Sequence, residues 1–355
     1  MTRVLVGMSG GVDSSVAAAL LLEQGYEVTG AYMKNWTLDV PGMQCPWAED
    51  LAYAKRSAVR LGIDFKVYDF QEEYKRDVVD YVVDAYQAGL TPNPDIMCNQ
   101  QVKFGSFLQA ARDEGYDFIA TGHYARLEPC TKSEGSSTYQ LMRGADEHKD
   151  QTYFLYRINQ EACAHTLFPL GDYTKAQVRA LATERHLPSA AKPDSQGICF
   201  IGEASIQDFL RQYVDVKPGA IVDVDTQQTV GAHEGALFYT LGQRKGLGLG
   251  GGKPYFVVDK DMQTNTVFVS HDVDAPRLRS QQVDLHDCHW IAGLPPQDGC
   301  CVVRLRHTGT LLPAQLKLQD AQRAQVLFDN EQERVAPGQS VVVYQDKICL
   351  GGGIA

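Results

Sequence analysis

Two textures of apolar and polar positions divide this chain. Up to about residue 205, short runs of aliphatic and β-branched residues alternate with stretches of helical period. Residues 4–6, 27–32, 65–69 and 118–121 read as strands, and 13–24, 46–61, 70–88 and 100–114 as helices. Strands alternating with helices predict a parallel, doubly wound sheet whose ligands sit at the carboxyl ends of its strands. Residues 128–137 read as a polar loop between two strand-like pieces, and a helical region follows to about Arg185. Beyond residue 206 short alternating strands such as AIVDVD, PYFVVDKD, NTVFVSHD, CCVVRLRH, AQVLFD and QSVVVYQDKICLGGG recur every dozen or so residues. Gly, Pro and Asp turns separate them, as in an all-β region. The expected organisation is an α/β domain over 1–205, a small β-rich central domain over 206–275 and a C-terminal β-barrel over 276–355. The glycine-rich stretch 241–255 reads as a hairpin connection.

A length of 355 residues agrees with two or three domains. No apolar run is long enough to span a bilayer, so a soluble, cytoplasmic protein without membrane contact is expected. The net charge of −11 speaks against a nucleic-acid partner at first sight. Most of the excess acid lies in the first 205 residues, however, so a local basic surface in the tail remains open. Nine cysteines without a CxxC spacing point to thiols rather than a zinc site, and no resident metal is expected.

The first apolar run changes the picture most. Between it and the first helix stand Gly7, Met8, Ser9, Gly10, Gly11, Val12, Asp13 and Ser14. Glycines there allow backbone N–H groups to approach a ligand, and the helix start adds unpaired donors and a positive dipole end. That is an anion cradle. It is not the lysine-bearing P-loop, because no lysine follows the glycines. A serine-capped helix after a tight turn is the alternative, but a cap needs only one such side chain. Met33, just after the second strand, would lie beside a nucleotide or in the core.

Two cysteines stand out. Cys98 lies in TPNPDIMCNQQVKFG, where Asn and Asp cap a helix expected to start near Asn99 and to stabilise a thiolate. Cys199 lies in KPDSQGICFIG, where Gly197 permits an unusual turn and Lys192 brings positive charge. Either thiol could instead be a small buried apolar residue. Asp95, three residues before Cys98, is a candidate general base or a helix cap.

Together, GMSGGVDSSV, TPNPDIMCN, ATGHYAR, KDQTYFLY and DSQGICFIG resemble the tRNA-specific 2-thiouridylase family (MnmA-type tRNA-uridine 2-sulfurtransferases) of the PP-loop ATP pyrophosphatase superfamily. The resemblance runs essentially the full length. It implies ATP-dependent adenylation of the O2 of a wobble uridine, with transient Mg²⁺ accompanying the ATP. Sulfur then arrives from a persulfide on Cys199; either Cys98 resolves it to release sulfide, or the persulfide attacks C2 directly. Residues 7–14, Met33 and Gly122 would bind ATP. Asn93, Pro94 and Asp95 would meet the target base. His123, Lys149, Asp150, Gln151, Arg304, Leu305, Arg306, His307 and Gln339 would contact tRNA. Arg304 and Arg306, spaced i, i+2, would share one face of a strand. A sulfur-carrier protein of a cysteine desulfurase relay is the implied donor, and a monomer is expected. Leu90 stands where the family usually has arginine. The competing readings are another PP-loop ligase, which gives the two cysteines no role, and a non-catalytic binding protein that retains the loop. An iron–sulfur 2-thiocytidine enzyme is disfavoured by the missing CxxC.

Overall fold

The structure is a computed structural model that describes residues 1–37, 47–131, 137–194, 206–250 and 252–355. Its N-terminal strands are β1 (Arg3–Gly7), β2 (Glu27–Lys34), β3 (Asp64–Asp69), β4 (Phe118–Ala120), β5 (Ala125–Thr131), β6 (Ser137–Arg143) and β7 (Thr166–Leu167). Five of them form a parallel sheet in the order β3-β2-β1-β4-β7. Helix α1 (Val12–Glu23) follows β1, and Gly25 at φ +85° ends it. α1 is apolar all round because it is covered on both sides. Ala18 and Leu21 pack on the sheet with Val4, Val6 and Val28, while Val12, Val16, Ala17 and Leu20 meet Val178 and Ala182 of the helix Lys175–Glu184. Helix α2 (Trp47–Leu61) covers the neighbouring strands.

The tail holds two further sheets. β8 (Gly219–Asp223), β9 (Thr229–His233), β10 (Phe256–Asp261) and β11 (Thr266–Ser270) form a four-stranded sheet in the order β10-β11-β8-β9. The glycine-rich stretch 241–255 is therefore not a hairpin connection. It carries the chain from β9 at one edge to β10 at the other. β12 (Arg279–Trp290), β13 (Gly299–Arg304), β14 (Leu312–Leu318), β15 (Ala324–Glu333), β16 (Ser340–Gln345) and β17 (Ile348–Ile354) run β12-β15-β14-β13-β16-β17. Pairing of β12 with β17 closes these six strands into a barrel.

The polar loop expected over 128–137 is shorter than its composition suggests, since β5 runs to Thr131 and β6 starts at Ser137. This hairpin leaves the α/β layer altogether. Its strand β6 pairs with β17, Cys349 opposite Leu141, so the N-terminal region contributes two strands to the barrel sheet. The joint is buried and polar. The Tyr153 hydroxyl donates to the Ser340 carbonyl at 2.8 Å, and Tyr156 Oη lies 3.1 Å from Ser340 Oγ. No described helix is long and apolar enough to cross a membrane.

Candidate active site

Gly7, Met33 and Gly122 come from three separate strands and meet at one sheet end. A Cβ on Gly7 would touch Met33 Cε at 3.0 Å, and one on Gly122 would lie 2.7 Å from the Ser14 amide. Gly10 adopts φ +78°, and a Cβ there would overlap the Asp50 carbonyl of α2 at 2.2 Å. Both constraints leave bare backbone around the loop. Gly11 begins α1 in extended conformation, and no side chain caps the first turn. Its N–H donors stay available to an anion. Ser14 Oγ accepts from the Ser9 amide at 3.2 Å, so it shapes the loop from within. Ser15 turns inward, bonding the Gly11 carbonyl and Ser57.

Asp13 is held rather than free. The Lys175 ammonium donates to both its oxygens at 2.7 and 2.8 Å, and the Tyr124 hydroxyl donates at 2.8 Å. Lys175 also reaches Asp194 at 2.9 Å, and Asp194 takes Lys149 at 2.7 Å and Arg179 besides. Burial alone would raise the Asp194 carboxyl, but hydrogen bonds from Lys149 and Lys175 hold it well below the carboxylate range. Lys192, expected beside Cys199, pairs with Asp50. Among the described residues no cluster of three His, Cys, Asp or Glu side chains could cage a metal. A magnesium ion accompanying phosphates needs only one or two carboxylates, and Asp13 is the one on the loop.

Cys98 sits deeper in its helix than its sequence context suggests. Asn93 is the cap, its Oδ1 accepting from the Asp95 and Ile96 amides, and Pro94 occupies the first helical position. Cys98 is thus one turn inside, where the backbone widens into π-helical winding over Cys98–Ser106. The thiol is fully buried, and burial pushes it up to about 11 despite the nearby Lys103. Desolvation of the buried thiol thus opposes the stabilisation of a thiolate that the helix start was expected to give. Cys199, with Gly197 and the rest of its motif after Asp194, lies outside the described residues.

Among the described residues four polar atoms are buried without a partner here: Asp95 Oδ1 and Asn99 Oδ1 on the helical segment of Cys98, and Arg304 Nε and His307 Nδ1 at the barrel turn. Phe154 joins Asn99 to His307. Its carbonyl accepts from Asn99 Nδ2 at 3.1 Å, and its ring lies 4.3 Å from the His307 imidazole. Burial, with Arg304 adding to it, lowers the His307 pKa, while Asp150 and Asp95 act oppositely.

The residues assigned to tRNA by resemblance spread over different environments. β13 ends at Arg304, so Leu305 and Arg306 lie in the following bend and the shared strand face does not exist. The turn is closed by the Gly309 amide bonding to the Arg306 carbonyl. Arg304 is buried on Asp150 at 3.0 Å, whereas Arg306 is exposed and pairs with Glu333 at 2.6 Å. Asp150 is wholly buried and also accepts from Thr152 Oγ1 at 2.9 Å. Gln151 Oε1 accepts from the Tyr124 amide. His123 is buried between Phe104 and Phe168, its Nδ1 2.7 Å from Thr121 Oγ1, and burial pushes its pKa far down. The turn before Gln339 packs on the chain just ahead of Asn93: the Thr91 amide donates to the Pro337 carbonyl, and Gly338 abuts Leu90. Sequence reading missed Lys175, Asp194, Asn99 and Phe154. Asp194, Asn99 and Phe154 fall inside motifs that could have flagged them, whereas Lys175 does not.

Three family models match in order along the chain. They are described as a tRNA methyl transferase HUP domain over residues 2–203, a tRNA methyl transferase PRC-barrel domain over 207–271 and an aminomethyltransferase beta-barrel domain over 280–355. The chain is also similar over nearly its whole length to tRNA-specific 2-thiouridylases named MnmA. That of Serratia proteamaculans is 47% identical, with 99% of this chain and 96% of the relative covered. The protein from Klebsiella pneumoniae subsp. pneumoniae is 46% identical with the same coverage. That of Nitrosomonas europaea is 45% identical, with 99% and 98% covered.

Proposed function

The chain belongs to the family of tRNA-specific 2-thiouridylases, and from that premise we propose that it replaces the 2-oxygen of a tRNA wobble uridine with sulfur in two adjoining pockets. The family-model descriptions name methyl transfer and the relatives name thiolation. A methyl donor has no use for a cradle built to receive phosphates, so the loop at residues 7–14 favours thiolation.

In the first step the α-phosphorus of ATP lies against the uncapped turn of α1, with Met33 and Gly122 beside the nucleotide. The uracil O2 attacks that phosphorus. An O–P bond forms, the bond to the bridging oxygen breaks, and pyrophosphate leaves. The N3 proton passes to the Asp95 carboxylate, which leaves a neutral O2-adenylated base. Asp13 would help hold a magnesium ion accompanying the phosphates, which would spread their charge.

In the second step a carrier protein loads a persulfide on Cys199. Cys98 attacks its inner sulfur, forming a Cys98–Cys199 disulfide and releasing hydrosulfide. Hydrosulfide adds to C2 and AMP leaves, giving 2-thiouridine. A thiol reductant then restores both cysteines. The chain acts as a monomer. Asn93 and Pro94 line the target base, and Gln339 stands at the same opening. Lys149, Gln151, Leu305 and Arg306 face the RNA. Asp150 with Arg304 holds the barrel in register, and His123 supports the sheet end behind the nucleotide.

The observation that carries this reading is the set of unsatisfied polar atoms on the segment of Cys98 and at the barrel turn. Each buried donor or acceptor left unpaired costs about 1–3 kcal/mol, and a pyrimidine presenting N3–H, O2 and O4 supplies partners. The test is to incubate the protein with ATP, magnesium, an unmodified tRNA transcript and sulfide, then digest the RNA to nucleosides for mass spectrometry. A 2-thiouridine product accompanied by AMP is expected. A methylated uridine, or thiolation without ATP, contradicts the proposal.

A further inference from the structure

The loop at the start of the chain has no lysine of its own, yet the fold delivers one to it. Lys175 is 162 residues beyond Asp13 and opens the helix Lys175–Glu184, which Thr174 and Gln177 cap reciprocally. A cation in the first turn of a helix opposes the helix dipole. The helix gains nothing from this lysine, whose ammonium is turned away to Asp13 and Asp194 with its side chain 13% exposed.

Docking of the two helices does not need this ion pair. Val12, Val16, Ala17 and Leu20 of α1 already pack on Val178 and Ala182. The lysine therefore serves the loop rather than the helix contact. Position points the same way. Lys149, Lys175 and Arg179 meet Asp13 and Asp194 beside an uncapped helix start, and Asp146 accepts from the Lys175 amide at 2.9 Å. The Lys175 ammonium thus stands on the loop residue Asp13, next to bare N–H donors where the oxygens of a polyanion would arrive.

We propose that Lys175 is the phosphate-binding cation of this site, exchanging its bond to Asp13 for an oxygen of the pyrophosphate end of ATP. It supplies from afar the charge that a lysine-bearing P-loop carries within its own motif. Asp13 is thereby released from its ammonium partner as the phosphates arrive. The inference rests on the reading of residues 7–14 as an ATP cradle.

Calorimetric titration of the full chain with ATP and magnesium, with inorganic pyrophosphate and with adenosine tests it. Lys175→Met keeps the side-chain length and removes the charge. It is expected to weaken ATP and pyrophosphate about 10- to 100-fold while leaving adenosine unchanged, the loss of one charge-assisted contact. Lys175→Arg should retain most of the affinity for both anions. Equal loss of adenosine and ATP reveals a structural lysine and overturns the inference, as does unchanged ATP binding in Lys175→Met. If Lys175→Met does not fold, Asp194→Asn decides, because it removes a structural partner and keeps the cation. Retained ATP affinity supports the assignment and lost affinity overturns it. A wild-type protein that binds no ATP defeats the cradle itself, an outcome distinct from the others.

Discussion

At the nucleotide cradle Asp13, Lys175, Asp194, Lys149 and Arg179 are paired with one another, whereas Asp95 Oδ1 and Asn99 Oδ1 on the segment of Cys98, with His307 Nδ1 and Arg304 Nε at the barrel turn, are buried without partners among the described residues. The first region satisfies its charges with its own chain and can trade partners when phosphates arrive. The second carries a standing desolvation cost that only a hydrogen-bonding guest offsets. The cradle draws its backbone from one local motif and its cations from elsewhere. The thiol pocket needs the helix at Pro94–Met97, the segment at Phe154 and the barrel turn at His307 to be in place together. A paired site is ready at rest, and an unpaired one is specific for what fills it.

Breaking the clamp between the regions should have the largest effect. Arg304→Met removes the nearer of the two guanidinium groups on buried Asp150, leaving Arg143 at 3.4 Å, and should destabilise the fold by about 2 kcal/mol in urea unfolding. Arg306→Met, on the exposed pair with Glu333, should cost within about 0.5 kcal/mol. Equal, small changes in both variants would show that Asp150 and Arg304 do not lock the barrel to the α/β layer.

A smaller change sharpens the contrast between paired and unpaired groups. His307→Ala should lower kcat/KM for tRNA thiolation about tenfold, the worth of one hydrogen bond, with no change in the Kd of ATP. Stability of the free protein should fall only by the packing lost against Phe154, because among the described residues the deleted Nδ1 has no hydrogen-bond partner. His307→Gln should recover part of the activity. Loss of stability with no kinetic effect would assign His307 to packing against Phe154 alone.

How much of this was legible beforehand follows from distance along the chain. The strand, loop and helix from Arg3 to Glu23 are local, and their apolar pattern, glycines and terminal Gly25 were readable directly. The β-rich tail was readable from alternation, although β12 escaped notice because RSQQVDLHDCHW hides Val283, Leu285 and Trp290 among polar residues and a register shift. The helix bearing Cys98 starts at Pro94 rather than near Asn99, because Asn93 caps it and a proline, which lacks an N–H, is suited to the first helical position. The β5–β6 hairpin could not be placed, because β6 meets β17 two hundred residues away and only three-dimensional pairing reveals it. The same holds for Lys175 on Asp13 and Arg304 on Asp150. Charges that pair across such separations leave no spacing for a sequence pattern to show.

The central claim is that activation and sulfur delivery are separate tasks of the two regions. Cys98→Ser tests it most directly, with tRNA-dependent AMP release and 2-thiouridine formation measured in the same reaction. Serine keeps the size of the side chain but cannot attack a persulfide. The account predicts undiminished AMP release with no 2-thiouridine above background. Full thiolation by the variant, or loss of AMP release in step with thiolation in a folded protein, would contradict it.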